Sequence, residues 1–496
     1  MARRSKQVAV IGSGFGGLAT AVRLQARGYE VTLLEARDRL GGRAYVYRQD
    51  GFTFDGGPTV ITAPFLIEEI FEAAGRRMQD YVRLVPVDPF YRIEFHNGRH
   101  FEYNGNEAET ERRIGEFAPQ DLEGYRAMIR KAREIFQKGF VELADRPFLH
   151  FSDMLRIAPD LAKLQSYRTV SGFVGQYIKD PLLRRVFSFH PLLVGGNPFQ
   201  TTSIYALIHT LEREWGVHYA MGGTGAIVNA LARVFEELGG RVRLSTPVKR
   251  VMLTGRRVIG VEPAFGEQIP VDAVVSNADV ANTYRKLIPR ESRRKFTDTK
   301  LDGMRYSMSL FVYYFGTSRR YENIRHHTIV LSERYQELLD DIFQKKQLSD
   351  DFSLYLHRPT ATDASMAPEG HDCFYALIPV PNQLSGIDWS KQAGPFRDRI
   401  VRMLEEKHLP ELSKHLATER VFTPLDFETT LDSYRGSGFS FEPVFSQSAW
   451  FRPHNASEDV EHLYFAGAGT HPGAGVPGVL SSAKIAERLI CERLPV

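Results

Sequence analysis

The feature that most constrains the fold of this chain is a glycine cluster close to its N-terminus. Gly12, Gly14 and Gly17 form the pattern GxGxxG. Residues 7–11 (QVAVI) predict a strand before the cluster, and residues 18–26 predict a helix after it. In a strand–turn–helix of this kind, the glycines permit a tight turn, close approach of a pyrophosphate and close packing of helix on strand. The pattern therefore predicts a dinucleotide-binding unit with the helix N-terminus facing phosphate.

The acidic residue that such a unit needs is also present. Residues 30–34 (EVTLL) predict a second strand, and it ends at Glu35, where a carboxylate accepts hydrogen bonds from a ribose diol. Gly16 adds a further small residue at the helix start. These elements complete a βαβ crossover, but they do not distinguish an NAD site from an FAD site.

Two further glycine segments favour FAD over NAD. Gly42 and Arg43 follow the second strand and offer backbone donors and a guanidinium to a diphosphate. Residues 467–478 (GAGTHPGAGVPG) precede a C-terminal helix, so backbone there could approach a flat ring. We find no second GxGxxG of the kind that a separate NAD(P)H site would show. The turn at 55–60 (DGGPTV) reads either as an ordinary turn or as a wall of the ring site, through Gly57, Pro58 and Thr59.

Bulk composition excludes several classes of protein. Hydrophobic residues at 43% and charged residues at 25% are typical of a folded globular chain, and a net charge of +3 gives no reason to expect a nucleic-acid partner. Cys373 and Cys491 have no CxxC partner, which argues against a disulfide framework and fits a reducing cytoplasm. The absence of an apolar run of about 20 residues leaves only peripheral membrane contact.

Neither a metal site nor nucleotide hydrolysis is expected. His326, His327 and His454 lack carboxylate or cysteine partners at ligand spacing, so we interpret them as loop histidines. Residues 222–225 (GGTG) look like a phosphate loop but lack the following GK[ST].

Over essentially its whole length the sequence resembles the carotenoid phytoene desaturases of the bacterial and fungal type. The resemblance includes residues 9–45, the turn at 55–60 and residues 463–484 (LYFAGAGTHPGAGVPGVLSSAK). Internal blocks that separate these desaturases from amine oxidases lie at 192–217, 221–228, 276–280, 351–357, 423–427 and 448–455.

The resemblance implies an α/β fold with a discontinuous, Rossmann-like FAD-binding domain of the glutathione-reductase type. This domain is expected to comprise residues 1–80, 218–285 and 455–496. An interposed α+β substrate domain, the membrane-facing helical lobe, is expected to comprise residues 81–217 and 286–454.

The resemblance also implies roles for particular residues of this chain. Val248 matches the position whose backbone contacts the adenine of FAD. The segment that closes over pyrophosphate and isoalloxazine is matched by Gly469, Thr470, Gly478 and Val479. Asp153 and Arg156 match residues proposed to assist near the flavin, although as plain sequence they read equally well as a helix cap and a surface charge.

The implied activity is FAD-dependent desaturation of 15-cis-phytoene, a hydrophobic C40 polyene, in four steps to all-trans-lycopene. An allylic carbon would lose a hydride to flavin N5 and the vicinal carbon a proton, with quinone or oxygen as the final electron acceptor. Alternatives are desaturation of another polyene precursor, carotene isomerisation, or prenyl binding without catalysis.

Because phytoene resides in lipid, we expect a cytoplasmic protein associated peripherally with the inner face of the cell membrane. Residues 181–199 combine leucines and aromatics with Arg184 and Arg185, as a membrane-seated segment would, but ordinary core packing explains the pattern slightly better. The sequence does not predict an oligomeric state.

Overall fold

The computed structural model of the protein describes residues 5–496. The strands in chain order are β1 Gln7–Ile11, β2 Glu30–Leu34, β3 Val46–Gln49, β4 Phe52–Asp55, β5 Leu84–Pro86, β6 Tyr91–Phe95, β7 His100–Tyr103, β8 His218–Ala220, β9 Arg241–Arg243, β10 Val248–Thr254, β11 Arg257–Pro263, β12 Ile269–Pro270, β13 Ala273–Ser276, β14 Ser309–Thr317, β15 His327–Leu331, β16 Leu354–His357, β17 Asp372–Val380, β18 Leu416–Phe422 and β19 Leu463–Phe465.

The helices in chain order are α1 Phe15–Ala26, α2 Pro64–Ala73, α3 Glu107–Phe117, α4 Leu122–Phe136, α5 Phe151–Lys163, α6 Val170–Val174, α7 Pro181–Ser188, α8 Leu207–Trp215, α9 Thr224–Glu237, α10 Val280–Asn282, α11 Asp298–Asp302, α12 Tyr335–Asp340, α13 Trp389–Lys407, α14 Leu412–His415, α15 Pro424–Thr429 and α16 Val476–Arg493. Among the described residues none of these helices combines the length and apolarity that a membrane crossing requires.

A five-stranded parallel sheet carries the glycine cluster. Its strand order is β19-β13-β1-β2-β9, and β1 pairs in parallel with both β2 and β13. The central strands are almost continuously apolar because helices α1, α9 and α16 pack on one face of the sheet and strands β10 and β11 pack on the other. All five strands fall within residues 1–80, 218–285 and 455–496. Their carboxyl ends meet at one edge, where ligands of open α/β sheets bind.

A seven-stranded mixed sheet forms the second layer, in the order β18-β14-β17-β16-β15-β6-β7. Neighbouring strands are antiparallel except for β15 and β6. In β14 the side chains alternate between two cores: Leu310 and Val312 face the main cavity core, whereas Phe311 and Tyr313 pack with α13. Because both faces of this sheet are covered, every residue of β14 is buried.

Residues 181–199 belong to the core, so of the two interpretations of this segment, membrane seating is wrong and core packing is right. Asp180 caps α7 by accepting hydrogen bonds from two backbone N–H groups, and Pro181 occupies the first helical position. Leu183 and Phe187 on this helix are fully buried among the residues of the main core.

The expectation of loop histidines is correct for His326 and His454 and wrong for His327. His327 is the first residue of β15, inside the mixed sheet, and the side chains of His326 and His327 are both buried. The pair lies next to His357 at the end of β16. His454 is likewise buried, with Nε2 3.0 Å from the Trp450 carbonyl oxygen.

Candidate cofactor and substrate cavity

One continuous cavity of about 670 Å³ lies between the parallel and mixed sheets. Its volume falls in the range of roughly 300–1,000 Å³ that ligand pockets usually have. One part is lined by sequence-predicted residues, which are Gly12, Gly14, Glu35, Gly42, Arg43, Gly57, Pro58, Thr59, Val248, Gly478 and Val479. Residues more than 400 positions apart in the chain therefore share one wall, as a discontinuous dinucleotide site requires.

Glu35 is held in a fixed orientation at the end of β2. One carboxylate oxygen accepts hydrogen bonds from the Ser13 backbone N–H, at 2.9 Å, and from the Ser13 hydroxyl. The other oxygen accepts from the Arg37 backbone N–H at 2.9 Å. The side chain is only 6% exposed, yet it lines the cavity, so its remaining lone pairs suit a ribose diol. Sequence reasoning missed the role of Ser13, although it stands between the first two glycines.

Asn277 is a second residue that sequence reasoning did not single out. A Cβ on Gly14 would lie 2.7 Å from the Asn277 Oδ1, and one on Gly16 2.7 Å from Nδ2. The same amide donates to the Ala466 carbonyl oxygen at 2.7 Å. Asn277 thus ties the first glycine turn to the C-terminal glycine segment. Gly16 and Gly17 serve this packing and do not line the cavity, and a Cβ on Gly17 would lie 2.0 Å from the Gly12 carbonyl oxygen.

Arg43 supplies a guanidinium with unused donor capacity. Its Nη2 donates to the Ser433 hydroxyl at 2.9 Å, but its Nε has no hydrogen-bond partner among residues 5–496. Burial holds the pKa of Arg43 below its ordinary value, opposed by the nearby charge of Asp279. A partly desolvated cation with a free donor beside a glycine turn fits a pyrophosphate.

The turn at 55–60 forms another wall of the cavity. A Cβ on Gly57 would lie 2.4 Å from the Arg43 carbonyl oxygen, so the turn is pressed against the loop that carries Arg43. The Thr59 hydroxyl lies 2.7 Å from the Tyr375 hydroxyl and 2.9 Å from that of Tyr355. These contacts join the dinucleotide part of the cavity to the mixed sheet.

The C-terminal glycine segment closes the opposite side. Gly467 has φ +128°, a conformation that favours glycine, and Gly478 packs so closely that a Cβ would lie 2.7 Å from the Gly473 carbonyl oxygen. Gly469 and Thr470 lie behind this wall and do not line the cavity, and the Thr470 hydroxyl donates to the Pro453 carbonyl oxygen at 2.7 Å. The buried Arg452 supports the segment by donating to the Ala468 carbonyl oxygen at 2.7 Å.

The structure places Asp153 and Arg156 outside the cavity lining. The Asp153 carboxylate accepts a hydrogen bond from the His150 backbone N–H at 3.0 Å, which caps α5. The Arg156 side chain is 79% exposed. Met154 and Ile157 on the same helix do line the cavity. A catalytic role for Asp153 and Arg156 stays a prediction.

The rest of the cavity is apolar. Lining side chains come from the helical region and from the mixed sheet, and they include Phe140, Leu143, Phe148, Leu192, Leu193, Ile204, Leu207, Leu310, Val312, Leu354, Leu377, Phe422 and Phe439. The buried Glu212 lies among them, and its carboxylate accepts from the Tyr91 hydroxyl at 2.7 Å. With so few polar groups, this part of the cavity selects a ligand by shape and apolar contact.

Residues 222–225 hold a carboxylate instead of a phosphate. The Thr224 backbone N–H at the start of α9 donates to the Asp55 Oδ1 at 2.8 Å. Burial raises the pKa of Asp55 to about 7, although the N–H groups of Thr224 and Gly225 oppose the shift. This buried carboxyl fixes the start of the turn that carries Gly57 and Thr59.

Asp55 therefore makes stability depend on pH. Because its folded pKa lies above its unfolded pKa, the folded state binds the proton more tightly, and the stabilisation is lost as pH rises through about 7. We expect the Asp55→Asn variant, which cannot titrate, to gain stability relative to wild type by up to about 1.4 kcal/mol per pH unit between pH 4 and 7. Thermal unfolding of both proteins across this range measures the difference. A constant difference would contradict the assignment.

Comparison with known proteins identifies the class of this site. The sequence profile of the family described as "Flavin containing amine oxidoreductase" matches residues 15–490. Solved structures of similar fold include cyclohexylamine oxidase from Brevibacterium oxydans, with a TM-score of 0.64 at 16% identity, covering 99% of this chain and 100% of that one. Putrescine oxidase bound to putrescine gives a TM-score of 0.62 at 15% identity, covering 99% of each chain. The chain belongs to the flavin containing amine oxidoreductase family.

Curated relatives narrow the family further. "Phytoene desaturase (lycopene-forming)" from Pseudescherichia vulneris is 51% identical, over 99% of this chain and 100% of its own length. The protein of the same description from Pantoea ananas is 50% identical over the same shares. A neurosporene-forming phytoene desaturase from Rhodobacter capsulatus is 42% identical, over 97% of this chain and 93% of its own length. Within the flavoprotein family, the chain is a member of the phytoene desaturases, and its cofactor is FAD.

Proposed function

We propose that the protein is an FAD-dependent oxidoreductase of carotenoid biosynthesis that converts 15-cis-phytoene to all-trans-lycopene in four desaturations. The lycopene-forming relatives at 50–51% identity over their full length support the substrate and the product. The observation that carries the proposal is this continuous cavity, in which a glycine-lined dinucleotide part continues into a long apolar part.

In this cavity each part of the chain has a separate task. Glu35, Arg43 and the glycine turns hold the dinucleotide, with Val248 at the adenine end. FAD, when bound, supplies the acceptor at N5 for the hydride lost from an allylic carbon of the polyene. The apolar walls exclude water and hold the polyene in place, so the substrate is positioned by packing and not by hydrogen bonds. The C–H next to the allylic cation is strongly acidic, so a weak acceptor such as a water molecule is enough to take the vicinal proton as the new C=C bond forms.

The FAD-binding unit is of the glutathione-reductase type and is assembled from residues 1–80, 218–285 and 455–496. The substrate domain comprises residues 81–217 and 286–454. The strand memberships of the two main sheets support this division, since the parallel sheet draws only on the first set and the mixed sheet only on the second.

Substrate enters from a membrane surface, and α5 lies at the entrance. We define the apolar rim as Phe151, Leu155, Phe445, Trp450 and Phe451. Phe151 and Leu155 are 50% and 62% exposed, and they belong to a patch of neighbouring apolar side chains, which is what marks an interaction surface. Aromatic rings of the rim pack against one another: the ring centroid of Trp450 lies 5.1 Å from that of Phe151 and 5.4 Å from that of Phe451.

The apolar rim adjoins the cavity directly. Phe445 lines the cavity itself, as do Met154 and Ile157 from the buried side of α5. The exposed side of the same helix carries the basic residues Arg156 and Lys163. An amphipathic helix with exposed aromatic and basic side chains is typical of segments that lie in a membrane interface. This arrangement supports peripheral association with the cytoplasmic face of the cell membrane, where a membrane quinone, or oxygen, accepts the electrons.

The first test is anaerobic. Purified holoprotein is mixed with phytoene in liposomes, the flavin absorbance is followed, and the pigments are then extracted. We expect phytoene to bleach the flavin band anaerobically with about one desaturation per flavin, and coloured polyenes up to lycopene to form once a quinone or oxygen is admitted to reoxidise the flavin. Bound flavin that phytoene does not reduce would overturn the proposal in favour of another polyene substrate or of isomerisation.

The Asp153→Asn variant tests whether Asp153 serves only as the N-terminal cap of α5 or also as a proton acceptor near the flavin. Asparagine still accepts the hydrogen bond from the His150 N–H, so we expect the stability to change by no more than about 1 kcal/mol. Because Asp153 does not line the cavity, we expect turnover to remain at the wild-type level. Lost turnover with unchanged thermal stability would instead establish Asp153 as an assisting group near the flavin.

A further inference from the structure

Three buried histidines lie together behind the cavity wall. His327 is the first residue of β15, and His326 precedes it. His357 is the last residue of β16, which pairs with β15. One ring nitrogen from each lies within 4.8 Å of those of the other two. All three side chains are at most 5% exposed.

Each imidazole has a free nitrogen on the same ring position. The Nε2 atoms of His326, His327 and His357 have no hydrogen-bond partner among residues 5–496. A buried polar atom without a partner costs about 1–3 kcal/mol, and three in one place are therefore a substantial cost for a cluster with no function.

The other ring nitrogens are held by hydroxyl groups. His326 Nδ1 lies 2.6 Å from the Thr362 hydroxyl, and His327 Nδ1 lies 2.6 Å from the Tyr355 hydroxyl, with His357 Nδ1 3.5 Å from the same oxygen. An Nδ1–H that donates to an oxygen leaves Nε2 as the lone-pair nitrogen. This is the support that metal-binding histidines usually have.

We propose that His326, His327 and His357 form a three-imidazole site for a late first-row divalent metal ion, with Zn²⁺ as the ion that fits best. Imidazole nitrogen suits Zn²⁺, Cu²⁺ and Ni²⁺ better than it suits Mg²⁺ or Ca²⁺. Ligand nitrogens of a tetrahedral Zn²⁺ lie about 3.3 Å apart for bonds of about 2.0–2.1 Å, so small rotations of the rings close the site around the ion.

The charges around the cluster are compatible with a cation. The nearby Arg358 is neutralised by Asp372, whose carboxylate lies 3.0 Å away.

The ion would affect the cavity through the hydroxyl groups that hydrogen-bond to its histidine ligands. The Tyr355 hydroxyl that faces His327 also lies 2.9 Å from the Thr59 hydroxyl, and Thr59 and Tyr355 both line the cavity. The histidines themselves do not line it. The site is therefore structural: it joins β15 to β16 and fixes the wall formed by Tyr355 and Thr59, and it does not contact the substrate.

The test is a metal titration of tag-free FAD holoenzyme. After dialysis against a chelator, Zn²⁺ is added and protein-bound metal is measured by mass spectrometry, and Co²⁺ is added in parallel to record its ligand-field absorption beyond the flavin band. We expect about one tightly bound ion per chain, with the absorption of a tetrahedral or five-coordinate nitrogen site. We also expect a higher melting temperature that a chelator reverses.

Variants then locate the ion. His326→Gln and His357→Gln are expected to lose binding, whereas His100→Gln, at an exposed histidine on β7, retains it. Wild-type holoenzyme that binds no Zn²⁺ and gives no Co²⁺ absorption overturns the proposal, and so does full binding by His357→Gln. The wild-type Co²⁺ spectrum decides the matter even if a histidine variant does not fold. Flavin content and phytoene turnover, measured on the same samples, report separately on the proposed function.

Discussion

The Gly14→Val variant is expected to lose FAD while keeping its fold. Gly14 has φ −64° and ψ 175°, a conformation that valine adopts without strain. A Cβ there would lie 2.7 Å from the Asn277 Oδ1, so the amide that joins this turn to the C-terminal glycine segment must shift slightly. The added methyl groups, however, enter the cavity where the dinucleotide approaches the backbone.

The expected loss of affinity is large. Keeping a diphosphate away from the N–H groups at the start of α1 removes charge-assisted hydrogen bonds worth about 1.5–3 kcal/mol each, so two of them amount to a 100-fold or greater weakening. Flavin absorbance of the purified protein and FAD titration of the apoprotein measure this, with circular dichroism to check the fold.

Gly115→Val is the matched control, because no atom lies within 4 Å of a Cβ on Gly115 in α3. It should bind FAD as wild type does. A yellow Gly14→Val protein with a full complement of flavin would contradict the placement of the dinucleotide at this turn.

Local patterns were enough to predict the elements around this turn. Residues 91–95 and 122–136 form β6 and α4, and each segment alternates apolar and polar residues with the period of its own secondary structure. The same holds for β1 and β2, whose order around the glycines is that of a βαβ unit. These signals lie within a few residues, so no tertiary information is needed to see them.

The location of residues 181–199 could not be predicted in the same way. Their arginines indicated an exposed surface, and Arg184 is exposed, but the Arg185 guanidinium donates to the Ser332 carbonyl oxygen at 3.0 Å. A basic side chain whose acceptor is far away in the chain looks exposed in the sequence. The histidine cluster was missed for a similar reason, since the pairing of β15 with β16 brings His327 and His357 together.

The site was predicted best where it depends on backbone conformation. Turns of this kind require glycine, and glycine can be seen directly in the sequence. The turns at 12–17, 41–43 and 467–478 were therefore found from sequence. The residues that support these turns, Asn277 and Arg452, were not found, because an asparagine or a buried arginine has many possible roles.

Replacing both Phe151 and Leu155 by glutamate is expected to separate the enzyme from its membrane. Each of these side chains contributes about 1.5–3 kcal/mol when it is fully removed from water, so losing both should weaken liposome binding by about 100-fold or more. The two new negative charges add repulsion from anionic lipid. Flavin binding should not change, because neither residue lines the cavity.

Co-sedimentation with anionic liposomes measures the binding, and phytoene turnover is compared in liposomes and in detergent micelles. We expect the double variant to lose turnover in liposomes and to keep it in micelles, where substrate reaches the entrance without a bilayer. Phe265→Glu is the matched control, since Phe265 is 77% exposed but lies in the β11–β12 turn, away from the apolar rim. Equal loss in the Phe265 variant, or wild-type sedimentation of the double variant, would show that the protein meets the bilayer through some other surface.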